Sequence, residues 1–267
     1  MRFVYFTKLL QGLDLPGMID FLKEAGLAGA DLAVRPGYPV HPDNARAELP
    51  RAVKLFRDAG LTIPLVTAPT NLADPDAPAA RALFEACGAA GVPAIKIGYF
   101  PYAGKFDAAL QAARERLAGF ARLAAKTGVR ACYHTHSGNY LGSNAAGLRL
   151  LLADLDPHHL GAFLDTGHLA VGGAPIRMEI DMARPWFSLL AIKDMAWEKG
   201  PKGWRSHVVP AGQGIVRWDE VAQGLKESRF NGTVSLHGEY ETKNLAERLQ
   251  LAKAELAFLK AKLGIGA

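Results

Sequence analysis

The chain has 267 residues, 49% of them hydrophobic, with 31 Lys and Arg against 26 Asp and Glu and a formal charge of +5. That balance excludes a disordered chain, and the lack of any apolar run near ~20 residues excludes a helical membrane span. The cations are scattered rather than clustered, which fits a solvated surface or a small anionic substrate and not a nucleic-acid partner. The two cysteines, Cys87 and Cys132, are far apart and in no metal-like spacing, so a reducing compartment is the default. The opening segment RFVYFT reads as a strand and not as a basic-then-apolar leader, so a cytoplasmic location is expected.

Short β-rich runs alternate with helical patterns along the chain. Phe3 to Thr7 is the first strand, and LPGMIDFLKEAG the helix after it, with Asp14 as N-cap and Gly26 as stop. ADLAV, residues 30–34, is the second strand, followed by a helix from Leu49 through Ala59 with Pro50 in its first turn. TIPLVTA is the third, and its helix begins near Pro78. AIKIGYF is the fourth, followed by the long helical stretch DAALQAARERLAGFARLAAKTG. VRACYHTH, GAFLDTGH, FSLLAIKDM and TVSLHGEYE are the fifth to eighth, and a final helix runs from about Leu245 to Leu263.

Eight units of roughly 30 residues each predict an α/β fold, a (β/α)8 barrel in one domain spanning residues 1–267. A doubly wound sheet would carry a glycine-rich phosphate turn after its first strand, and none is present. VGGAPIRME and AWEKGPKGWRSHVVPAGQG read as loops long enough to serve as lids or rim segments.

A barrel places its active site at the carboxyl ends of its strands. There the sequence puts Arg35, Thr67, Tyr99, His134, His136, Asp165, His168, Lys193, His237, Glu239 and Glu241. Residues i and i+2 of a strand share a face, so His134 and His136 point one way, as do His237, Glu239 and Glu241, while Ala131 and Tyr133 face the helices. Imidazoles and carboxylates converging on one mouth suit a divalent metal or an acid–base pair. A carboxylate ending the apolar strand of FLDTGH is costly unless used, which singles out Asp165, and Lys193 follows by the same reasoning. His158 and His159 read as surface residues, and His41 as a loop residue on the site face. Trp197 and Trp204 flank the loop after strand seven, where they would pack on the rim or cover a sugar face. Arg177 or Arg205 could meet a phosphate or carboxylate, or simply be solvated.

The segments YHTHSGN, FLDTGHLAVGG, AIKDMAW, PAGQGIVRWDEVAQGLKES and FNGTVSLHGEYE together resemble the sugar phosphate isomerase/epimerase family. The family has a xylose-isomerase-like barrel and also includes inosose dehydratases and keto-sugar 3-epimerases. DLAVRPGYPVHPDNARAELPRAV resembles one branch of it whose substrates are mostly unassigned. The resemblance implies one divalent ion, often manganese, held by Glu, Asp, His and Glu on strands five to eight. Only the Asp is kept, as Asp165. The other positions hold His134, Ala191 and His237, while His168 and Lys193 keep their places.

The surviving set, His134, Asp165 and His237, is a two-His, one-carboxylate group suited to Mn, Zn, Fe or Co. Glu239 or His136 could add a fourth ligand, and Lys193 could stand in for the ion. The expectation is an isomerase or epimerase acting on a keto- or aldo-sugar or sugar phosphate, with a dehydratase as the alternative. Glu239 is the first-choice base and His237 the second, Lys193 polarises the carbonyl, and His168, Arg35, His136 and Arg205 hold the substrate. A homo-oligomer is expected from the relatives. Ala191 also allows a barrel that has lost catalysis and only binds a sugar. An apurinic-site endonuclease would need ligands on strands three and four, where TAPT and GYFP offer none.

Overall fold

The alternation of buried strands and amphipathic helices closes on itself in the computed structural model, which describes residues 1–265. The first half comprises β1 (Arg2–Phe6), a 3-10 turn (Thr7–Leu10), α1 (Leu15–Glu24), β2 (Gly29–Ala33), α2 (Ala45–Asp58), β3 (Thr62–Thr67), α3 (Pro78–Ala90), β4 (Ala94–Lys96) and α4 (Phe106–Thr127). The second half comprises β5 (Arg130–His134), α5 (Ala145–Leu152), β6 (Leu160–Asp165), α6 (Thr166–Gly172), α7 (Ile176–Ala183), β7 (Phe187–Ile192), β8 (Asp194–Gly200), β9 (Gly203–Val209), α8 (Trp218–Ser228), β10 (Thr233–Leu236) and α9 (Leu245–Lys262). Strands β1 to β7 and β10 form the barrel, in sequence order and all parallel, with β10 closing onto β1. No helix among the described residues is long and apolar enough to cross a membrane.

Capping fixes several helix starts. Asp14, Asn144 and Asn244 each accept a hydrogen bond from the backbone N–H three residues on, at 2.8–2.9 Å. Strand parity then divides the core. Alternate residues face the helices in one large apolar cluster that includes Tyr5, Leu32, Ala131, Tyr133 and Leu164. The others face the axis. Val4, Leu65, Ala94, Cys132, Phe163, Leu189 and Ala191 fill the barrel interior as a dry plug. Toward the strand ends the i+2 successors of Leu65, Ala94, Cys132, Phe163 and Ala191 are the polar Thr67, Lys96, His134, Asp165 and Lys193, all buried, and Asp31 of β2 is buried beside them.

Three local readings need correction. Helix α2 begins at Ala45, not Leu49, so Pro50 sits inside it rather than in its first turn. The segment after β7 is not a loop but an antiparallel hairpin, in which β8 and β9 pair from Asp194↔Val209 to Gly200↔Gly203. VGGAPIRME is largely helical, contributing to α6 and α7. The strands also end sooner than the sequence indicates. His136, His237 and Glu239 therefore lie just beyond their strands, and Glu241 is exposed rather than continuing the row of His237 and Glu239.

Candidate functional site

The carboxyl ends of the strands surround a cavity lined by Phe6, Lys8, Arg35, Thr67, Thr70, Lys96, Tyr99, His134, His136, Phe163, Lys193, His237 and Glu239. Behind the lining residues His134 and Lys193 stands Asp165, the last residue of β6 and fully buried. One carboxylate oxygen has a structural job: Oδ1 accepts the His168 N–H at 2.9 Å and caps α6. The glycine of DTGH lets this turn lie against β7, since a Cβ on Gly167 would come within 3.0 Å of the Lys193 carbonyl oxygen. Thr166 clamps the same junction, its Oγ1 donating to the Lys193 carbonyl at 2.7 Å and accepting the Lys193 N–H at 3.0 Å.

The second oxygen, Asp165 Oδ2, has no hydrogen-bond partner although it is buried, and neither has His134 Nε2. The two atoms lie 3.5 Å apart. A ligand atom of His237 joins them, so that His134, Asp165 and His237 offer three donors within 4.8 Å of one another. Burial holds the His134 imidazole well below the usual histidine range, so it is neutral with a lone pair free. Ligands held at about 2.1 Å from one ion sit at most about 4.2 Å apart, so a pair at 4.8 Å would have to close by at least about half an ångström. A divalent cation between His134 Nε2 and Asp165 Oδ2 would satisfy both unpartnered atoms, and the donor set suits a first-row metal. Among the described residues these three form the only such group.

The histidines are held from behind. Asp31 Oδ2 accepts from Ser235 Oγ at 2.9 Å and faces His237 Nε2 at 3.2 Å, while Asp31 Oδ1 accepts from Thr67 Oγ1 at 2.6 Å. An ionised carboxylate only accepts, so the His237 proton sits on Nε2 and the lone pair on Nδ1. Phe6 stacks on the His237 ring at 4.5 Å, and Phe163 stands edge-on beneath His134 at 4.7 Å. Tyr99 OH lies 3.2 Å from His134 Nδ1.

Lys193 is the hub of the cations. Its Nζ lies 2.8 Å from Glu239 Oε2, 3.1 Å from His168 Nε2 and 3.5 Å from Asp165 Oδ2. Because an ammonium only donates, the His168 proton is on Nδ1, bonded to Ser137 Oγ at 2.8 Å. Burial opposes the Lys193 charge, but Asp165 and Glu239 outweigh it and hold its pKa above the usual lysine value. Burial likewise opposes the Glu239 charge, but Lys193 and its other partners hold it well below the usual carboxylate range. Lys8 bonds the other Glu239 oxygen. Burial takes His168 down to about 3, so it is neutral.

The remaining sequence candidates separate. Arg35 and His136 line the cavity. The His136 ring lies 3.8 Å from that of His168, and its Nδ1 is 2.6 Å from the Ser137 carbonyl oxygen. Arg205 does not reach the cavity. It projects from β9 and pairs with Glu198 of β8 at 2.8 Å. Arg177 pairs with Glu227 on the outside of the barrel. Ala191 lies in the apolar plug and supplies no ligand. Asp31, Lys96 and Lys8 escaped sequence reasoning. The reasoning that singled out Asp165 and Lys193, a charge inside an apolar strand, applies equally to Asp31 in GADLAV and Lys96 in AIKIG.

A family model described as a xylose isomerase-like TIM barrel matches residues 19–262. The chain belongs to that family. Its fold is shared by 3-keto-D-glucoside 4-epimerase YcjR from E. coli, with TM-score 0.77 and 13% identity over 98% of this chain and 99% of that one. The probable 3-DHS dehydratase AsbF from Bacillus anthracis gives TM-score 0.75 and 20% identity over 97% and 99%. The IOLI protein, solved with a zinc atom bound, gives TM-score 0.80 and 17% identity over 98% and 99%. No curated protein matches the chain by sequence. In this member the strand ends carry a His–Asp–His group beside a Lys–Glu pair.

Proposed function

We propose that this protein is a sugar isomerase or epimerase that moves a proton beside a carbonyl. The observation that carries the reading is the His134–Asp165–His237 group, with two unpartnered ligand atoms, set next to Lys193 and Glu239 in one cavity. A divalent ion bound by the three residues would polarise the carbonyl and its neighbouring hydroxyl and stabilise the enediolate. The zinc of the IOLI protein and the sugar epimerases of the same fold support the assignment.

The chain's own groups divide the work. The Lys193 ammonium holds the developing negative charge on the substrate oxygen. Glu239 stays ionised but is tied to two ammonium groups, which weakens it as a base. His237 keeps its Nε2 proton on Asp31 and would give its one lone pair, on Nδ1, to the ion, so the proton acceptor is Glu239. His136, which lines the cavity, serves substrate hydroxyls, while His168, with both ring nitrogens bonded, positions Lys193. Return of the proton to the opposite face gives an epimer, and return to the neighbouring carbon an isomer. Loss of a β-hydroxyl from the same intermediate gives dehydration, the second reading, supported by the AsbF neighbour.

The test is a panel of ketoses and aldoses incubated in deuterated water with added Mn2+ or Zn2+. Deuterium is expected to enter the carbon beside the carbonyl of at least one sugar, and to do so at least about 100-fold more slowly with Glu239→Gln. Absence of exchange and of any enone absorbance across the panel overturns the reading.

A further inference from the structure

Four cations line the mouth, and only two are matched by carboxylates. Lys193 takes Asp165 and Glu239, and Lys8 takes Glu239. Asp31 is committed to Thr67, Ser235 and His237. Arg35 and Lys96 have nothing left. Arg35 Nε is buried without a hydrogen-bond partner. Lys96 is 2% exposed and forms no side-chain hydrogen bond or ion pair among the described residues.

What holds these two cations is aromatic. Lys96 Nζ stands 3.6 Å from the centroid of the Tyr99 ring, and Arg35 Cζ 5.6 Å from that of Phe6. A ring face attracts the charge but offers no lone pair, so the N–H groups stay available. The strand register keeps the two in one sector. Ala33 of β2 pairs with Thr67 of β3, and Thr67 pairs with Lys96 of β4. Arg35 follows two residues after Ala33, so Thr67 lies between the columns of Arg35 and Lys96, and Thr70 lines the same cavity. Burial, then the nearby Arg35 charge, holds Lys96 well below the usual lysine range, a strain that an anion would relieve. Two unpaired cations, one buried and one half-buried, that share a cavity wall lack only an anionic acceptor.

We propose that Arg35 and Lys96 form a subsite for an anionic group of the substrate, a carboxylate or a phosphate, so that the enzyme acts on a sugar acid or sugar phosphate rather than a neutral sugar. The subsite lies on the β2–β4 side of the mouth, and β4 pairs with β5, so it borders His134 of the His134–Asp165–His237 group. A substrate anchored there by its charged end would present its carbonyl to the neighbouring His134–Asp165–His237 group. This rests on the proposed sugar chemistry for its biological meaning, but the binding itself is measured without turnover.

The full-length protein is titrated by calorimetry with D-glucuronate, D-glucose 6-phosphate and neutral D-glucose, and with inorganic phosphate as a probe free of sugar. Charged ligands are expected to bind at least tenfold more tightly than D-glucose. Stronger binding of glucuronate assigns a carboxylate, and of glucose 6-phosphate a phosphate. The preference is expected to fall below twofold in Arg35→Gln and Lys96→Gln, to survive in Lys96→Arg, and to be unchanged in Arg205→Gln on the hairpin. Equal affinity for charged and neutral sugars, a preference that persists in both charge-removing variants, or no binding of any anion overturns the subsite. Deuterium exchange in a neutral sugar without anion preference would sink the subsite and leave the enzyme reading standing. Anion preference without exchange in any sugar would do the reverse.

Discussion

His134 Nε2 and Asp165 Oδ2 face each other across 3.5 Å, both buried and neither with a hydrogen-bond partner. A folded protein rarely leaves two such atoms opposed, because each carries a desolvation cost of about 1–3 kcal/mol. A cation removes both costs at once. Metal-free protein titrated with Zn2+ or Mn2+ is therefore expected to bind one equivalent. His134→Ala and Asp165→Asn are each expected to weaken that binding at least about tenfold, since each deletes a direct ligand. Calorimetry and elemental analysis of the dialysed protein check this. Unchanged stoichiometry and affinity in both variants would dismiss the group as a metal site.

Lys193 gives a second prediction. Replacing it with Met leaves Asp165 buried and uncompensated, and removing one member of a buried pair costs about 3–5 kcal/mol. Glu239 adds less, because its side chain is 21% exposed. Urea unfolding of Lys193→Met near pH 7 should show a loss of that order. Added Zn2+ should raise its melting temperature more than that of the parent, because the incoming positive charge replaces the missing ammonium. A variant as stable as the parent, and equally responsive to metal, would show that Lys193 and Asp165 are not coupled.

Much of this was legible because the barrel writes itself in period two and period 3.6. The eight strands stand where the apolar runs place them, and the parity that turns Ala131 and Tyr133 outward sends Cys132 and His134 to the axis. Asp165 and Lys193 were visible as charges at the ends of apolar strands. Asp31 and Lys96 carry the same signal. Each is followed by more apolar residues, so neither looks like a strand end. The β8–β9 hairpin was hidden by composition: Gly200, Pro201 and Gly203 read as loop, and the exposed Glu198, Lys199 and Arg205 give its strands no apolar alternation. Arg205 was drawn to the site by its place in the chain, yet its strand turns it outward to Glu198. Pairings such as Asp31 with His237, 206 residues apart, carry no local trace at all.

Glu255 sets a pH dependence well away from the mouth. Burial, aided by the Asp194 charge, raises its carboxyl from 4.5 to about 6, although Ala211 N–H and Tyr240 O–H both donate to it. Arg248 opposes the rise. Between these values the native state keeps a proton that the unfolded chain has released. Unfolding then releases a proton, so stability falls as pH rises from about 4.5 to about 6 and levels off above. The shift amounts to about 2 kcal/mol at full extent. Glu255→Gln removes the titrating group while its amide can still meet both partners. The stability difference between parent and variant is therefore expected to move in the variant's favour by about that amount across the window. A difference that stays flat from pH 4 to 7.5 would show that Glu255 titrates normally.

Asp194 gives the last prediction. Its Oδ1 accepts from the N–H groups of Met195 and Val216 at 2.9 and 3.1 Å, and its Oδ2 from Gly212, Gly214 and Trp218 Nε1 at 2.9, 3.0 and 3.1 Å. One buried carboxylate thus organises the whole turn before α8. The glycine at 214 is part of the arrangement, since a Cβ there would fall 2.3 Å from Asp194 Oδ1. Asparagine cannot replace it, because one of its two ends donates and would face donors. Asp194→Asn is expected to destabilise the protein by about 2–4 kcal/mol, because charge-assisted bonds are lost and buried N–H groups are stranded. The loss should be local before it is global. Hydrogen exchange at 212–216 is expected to speed up at least tenfold in the folded variant, while the amides of β5 and β6 keep their protection. Because Asp194 directly follows Lys193, exchange that loosens 212–216 without disturbing metal binding would mark the clamp as a support for the rim alone. Unchanged exchange at 212–216 would mean that the turn holds itself.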